Sequence, residues 1–144
     1  MRDYLEKITK LNDIFAIALY SADIFINVLY IIMLFFPSRL QEPSIAFQVF
    51  YYATCGVLVA IDVMLVLCFI KKKDISIRIQ LIKLYMAVQA IIIFGDIVYS
   101  ATYGGFWHDM YVWISLEIVL ILGYGYRLFF LKTTHAALSK GGDD

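Results

Sequence analysis

The chain has 144 residues, 62% hydrophobic and 17% aromatic, with a mean hydropathy of +0.81 and a formal net charge of +0. A soluble domain of this length has too little interior to hide so much apolar side chain, which leaves one membrane domain over residues 1–144. No basic run interleaved with aromatics stands in a polar segment, so nucleic acid is not an expected partner.

In chain order, residues 1–13 read as an amphipathic lead-in, with Tyr4, Leu5, Ile8 and Leu11 on one side and charge on the other. That pattern suits a helix lying on the inner membrane surface. The first spanning helix is expected over about 14–36, ending before Pro37, which cannot continue a helix without losing a hydrogen bond. Its apolar run exceeds the roughly 7 to 15 residues of a cleavable signal and is expected to remain. The second helix is expected over about 46–70, closed by Lys71, Lys72 and Lys73. The third spans about 79–99 and the fourth about 111–131, and residues 133–144 read as a mobile cytosolic tail. Each apolar segment is long enough to cross about 30 Å of hydrocarbon as a helix. The fold class is therefore an all-α integral membrane protein, a four-helix transmembrane bundle with short loops.

Cations set the orientation. Arg2, Lys7 and Lys10 precede the first helix; Lys71, Lys72, Lys73, Arg78 and Lys83 surround the middle connection; Arg127, Lys132 and Lys140 close the fourth helix. Arg39 alone falls in the other two loops. Short loops rich in Lys and Arg stay cytosolic, so both termini are expected there. Trp107, Trp113, Tyr103, Phe106 and Tyr111 cluster at the second outer loop, and Phe35, Phe36, Phe47 and Phe50 flank the first. Amphipathic rings favour that interfacial depth.

Each helix carries one acid: Asp23, Asp62, Asp96 and Glu117. An Asp facing lipid at mid-helix costs about 2.5 to 3.5 kcal/mol, so four would cost roughly 10 kcal/mol. They are expected to face one another, water or a partner. Helical spacing agrees: Tyr20, Asp23, Asn27 and Tyr30 share one face, as do Gln48, Cys55 and Asp62, then Tyr85, Gln89 and Asp96, then Trp113, Glu117, Tyr124 and Arg127. Counting residues from the helix ends places Asp23 with Asp62 at an inner level and Asp96 with Glu117 at an outer one. Arg127 is expected either to reach towards the inner pair or to snorkel to the cytosol. Gly56 and Ala60, four apart, read as a point of close helix approach.

Several functions are excluded or left without support. Cys55 and Cys68 sit thirteen residues apart on one helix, about 20 Å along its axis, beyond the reach of a disulfide. Dinucleotide-binding, P-loop, zinc-protease and nucleophile-elbow motifs are missing, so no cofactor and no metal is expected. Asp23, Asn27, Asp62, Gln89, Asp96, Glu117 and Arg127 are the residues of an expected substrate or proton path. Asp96 and Glu117, with His108 and Asp109 near, are the candidates for any catalytic site. In helix count, length and topology the layout resembles the MARVEL-type trafficking proteins and the small multidrug-resistance transporters. The first expectation is an interaction or trafficking component, or a small subunit of a membrane complex, since the loops leave no soluble domain to do chemistry. Its partners would be the bilayer and another membrane protein or a second copy. The alternative is a small proton-coupled transporter, and a membrane enzyme acting on a lipidic substrate comes third.

Overall fold

The computed structural model describes residues 2–34, 45–102 and 108–140. They form four helices: α1 (Arg2–Leu34), α2 (Ile45–Ile70), α3 (Ile75–Thr102) and α4 (His108–Lys140). All four contain spans long and apolar enough to cross a membrane, as in a multi-pass membrane protein. The interfacial residues expected at Phe35, Phe36, Arg39, Tyr103, Phe106 and Trp107 lie outside the described residues, as do the side chains of His108, Asp109 and Tyr111.

Two boundaries differ from the sequence expectation. The lead-in is not a separate surface helix, because α1 runs unbroken from Arg2 for 33 residues. No Gly or Pro interrupts it, and Asn12, Ala16 and Tyr20 continue the buried face towards its start. Likewise the expected tail begins as helix, since α4 continues through residues 133–140 to Lys140. At 1.5 Å per residue, α1 and α4 each extend about 50 Å, and both project from the same end of the bundle. That end also carries the α2–α3 turn and is called the basic end below.

The helices pack in ring order, α1 on α2, α2 on α3 and α3 on α4, with α1 and α4 closing the ring more loosely. The bundle is inside-out by the standard of a soluble protein. Asp23, Asp62, Gln89, Asp96 and Arg127 are buried, while Phe25, Phe94, Leu122 and Phe129 are exposed around the outside. Side chains of that kind around the whole circumference match a lipid solvent and not water.

Close approach is made at glycines other than Gly56. A Cβ on Gly95 would stand 2.7 Å from the Phe50 ring, and one on Gly123 would stand 3.1 Å from Leu19. Gly95 thus lets α2 settle against α3, and Gly123 lets α1 settle against α4. Gly56 has nothing within 4 Å of that position, and Ala60 is exposed beside it. This corrects the expectation of a close approach there; within this chain no neighbouring helix covers that face.

The α2–α3 turn is a Schellman-type cap. Lys72 adopts a left-handed φ of 49°. The Lys73 N–H donates to the Cys68 carbonyl at 2.9 Å, and the Lys72 N–H to that of Phe69 at 3.3 Å. Arg78 donates a second hydrogen bond to the Cys68 carbonyl at 3.2 Å, tying the start of α3 to the end of α2.

Candidate functional site

The four inward faces meet as a column of polar side chains along the bundle axis. At the basic end, Arg127 is buried to 2% exposure and turns to α1. It donates to Asn12 Oδ1 and forms an ion pair with Asp13 at 2.8 Å. Arg127 therefore neither pairs with the inner acids nor snorkels outward, because an anion and an amide oxygen stand nearer on α1. Sequence reading missed Asn12 and Asp13, having started the spanning helix at Ile14. The signal was present: Asn12, Ala16, Tyr20, Asp23 and Asn27 follow one another by four, four, three and four, one continuous helical face.

Tyr20 links this end to the middle of the bundle, lying beside Arg127 with its ring 5.5 Å from that of Tyr124. Tyr124 in turn stacks flat on Tyr85, with centroids 3.6 Å apart and planes within 5°. At the Tyr124 hydroxyl lies the first carboxyl pair. Asp23 and Asp62, both fully buried, stand side by side across α1 and α2. The Tyr124 hydroxyl donates to Asp62 Oδ1 and stands 3.4 Å from Asp23 Oδ2. Asn27 holds Asp23 from above, its amide nitrogen donating to the Asp23 backbone carbonyl and to Oδ1, each at 3.0 Å.

The second pair, Asp96 and Glu117, lies towards the opposite end and sits side by side across α3 and α4. The Tyr51 hydroxyl donates to Asp96 Oδ1. Tyr51 is held by an edge contact with Tyr30, centroids 5.9 Å apart, and Tyr30 in turn meets Trp113 at 5.0 Å. Ser100, one turn beyond Asp96, donates back to its backbone carbonyl at 2.8 Å. The structure thus brings Asp23 to Asp62 and Asp96 to Glu117, sets Asn27 and Gln89 between the two levels, and leaves Arg127 at one end.

A hydrogen bond between two carboxyl groups exists only when one of them carries the proton, since an ionised carboxylate is acceptor-only. Each pair is thus placed to share a proton when one member carries it. Among the described residues, Asp62 Oδ2 and Glu117 Oε2 accept no hydrogen bond, and a proton on the neighbouring carboxyl would be the donor each lacks. A cavity of about 20 Å³ lies between the levels, lined by Asp23 of one pair and Glu117 of the other. Among the described residues, no group of three or more His, Cys, Asp and Glu is placed to hold a metal ion.

No family model, curated protein or solved structure matches the chain. The likeness to small tetraspan groups consequently rests on helix number and length, and the reading of the site rests on its chemistry.

Proposed function

We propose that this chain is a small proton-coupled membrane transporter, moving a cation or a lipophilic solute in exchange for protons held at its buried carboxyl pairs. One observation carries the reading. Four helices each deliver an acid to the interior, and these acids meet as two side-by-side pairs around a cavity that touches one acid from each. Ionisable groups are expensive in hydrocarbon and mark ion and proton pathways where they occur. A bundle needing only mechanical cohesion gains as much from apolar packing, because buried polar networks stabilise weakly against hydrophobic replacements. In this reading the basic end faces the cytosol, following the eleven cations that gather there, and both termini are cytosolic.

The test is flux in proteoliposomes loaded with a pH-sensitive dye. An imposed pH gradient should drive uptake of a cationic or lipophilic solute, and Asp23→Asn or Asp62→Asn should abolish the pH dependence. Wild-type rates in both variants, or no proton movement in the native protein, would sink the proposal.

A second reading, an interaction component or small subunit, is favoured by the projecting ends of α1 and α4. Tyr4, Leu5 and Leu11 are exposed on the projecting start of α1. The reading predicts stoichiometric co-purification with another membrane protein or a second copy in mild detergent.

A further inference from the structure

The cavity between the two carboxyl pairs has the size and chemistry of a site for one small donor. It is bordered by Asp23, Asn27 and Tyr30 of α1, Cys55 of α2, Gln89 of α3 and Glu117 of α4. A single water needs about 10 to 15 Å³ of free volume and two to four polar partners, and the cavity offers about 20 Å³. Gln89 is 2% exposed, and among the described residues its Oε1 accepts from no donor. A buried oxygen left in that condition is destabilising.

The neighbouring side chains do not meet this need. Asn27 spends its amide donor on Asp23, and Tyr51 donates to Asp96. What fits is a molecule with two O–H donors that bridges Gln89 to a carboxyl. We propose that the cavity binds one water molecule, which donates to Gln89 Oε1 and to the Glu117 carboxyl, accepts from the Asp23 carboxyl when that group carries a proton, and so joins the two acid pairs into a single proton-sharing unit. The titratable groups lining it are Asp23 and Tyr30 from α1, Cys55 from α2 and Glu117 from α4, with Asp96 and its donor Tyr51 beyond Glu117. The buried guanidinium of Arg127 is engaged at the basic end, so the unit is built of carboxyls and hydroxyls. Binding of the water stands on the cavity alone, whereas its part in proton transfer rests on the transporter reading.

The experiment is infrared difference spectroscopy on the full-length protein in nanodiscs, with ¹⁸O-water exchanged for ordinary water. The native protein should show an isotope-sensitive O–H band of an enclosed water. Gln89→Met, which keeps the volume and removes the acceptor, should lose it; Gln89→Glu, which restores an acceptor oxygen, should keep it. Cys55→Leu fills the cavity from α2 and should also lose the band, giving a second arm if Gln89→Met does not fold. Persistence of the band in Cys55→Leu and Gln89→Met overturns the site. A sodium-dependent rise in melting temperature that Gln89→Met removes also overturns it, by assigning the cavity to a cation. Parallel flux measurements separate the two claims. Loss of the band without loss of proton flux in Gln89→Met overturns the linking role. A band that behaves as expected in a protein carrying no flux leaves the water in place and defeats only the transporter.

Discussion

The basic end and the middle of the bundle hold their acids by opposite means. At the basic end Asp13 meets the guanidinium of Arg127, and Asn12 takes a second of its donors. In the middle, Asp23 meets Asp62 and Asp96 meets Glu117, with tyrosine hydroxyls as the added donors. An ion pair has fixed charges and one favoured geometry, and losing either partner strands a charge in a poor solvent. A carboxyl pair can share a proton that leaves and returns without any side chain departing. The first arrangement suits a clamp between α1 and α4, whose contact is the loosest in the ring. The second suits exchange.

The sharpest way to break this contrast is to disable the clamp. Asp13→Asn should destabilise the bundle by about 3 kcal/mol, the lower end of what breaking a buried pair costs, because Asp13 keeps 25% of its side chain exposed. The measure is unfolding in mixed micelles with increasing denaturing detergent. Removing both charges, with Asp13→Leu and Arg127→Met together, should return stability to within about 1 kcal/mol of the native protein. If the double variant is as unstable as the single one, packing around Arg127 and not its charge secures α1 to α4.

A smaller effect is expected inside the first carboxyl pair. Tyr124→Phe keeps the ring stacked on Tyr85 but removes the hydroxyl that serves Asp62. Losing that donor should cost about 1 to 2 kcal/mol. It should also slow proton flux, because one member of the hydrogen-bonded chain is gone. Unchanged stability with unchanged flux would mean that the carboxyls satisfy each other without help, and the contrast with the basic end would narrow to the proton alone.

Much of this arrangement was legible in the residues themselves. Hydrocarbon leaves a carboxyl nowhere to go but inward, so the four acids mark the inner face of each helix, and three-and-four spacing extends it to Tyr20, Asn27, Gln89 and Tyr124. Residue counts from the helix ends also pair Asp23 with Asp62 and Asp96 with Glu117. What escaped the sequence depends on contacts between helices, which no single-helix periodicity carries. Asn12 and Asp13 looked like the end of a polar lead-in until Arg127 was seen opposite them. Gly95 and Gly123 differ from Gly56 only by what the neighbouring helix brings, a Phe50 ring and a Leu19 side chain against open space. The water-sized cavity is the residue of imperfect packing among eleven side chains on four helices, and no string of letters records it.

The smallest effect returns to the basic end and asks whether its stability can be tuned without touching the interior. Lys72 holds a left-handed φ of 49° at the cap of α2, a conformation that costs a residue with a Cβ about 1 kcal/mol relative to glycine. Lys72→Gly should therefore stabilise the folded chain by up to about 1 kcal/mol, offset in part by the greater freedom of glycine in the unfolded state. The cap's hydrogen bonds run through backbone N–H groups that the substitution leaves in place. Proton flux should not change, since Lys72 is exposed and the carboxyl pairs lie within the bundle. A change in flux with Lys72→Gly would show that the turn communicates with the interior, and the separation of clamp from exchange site would no longer hold.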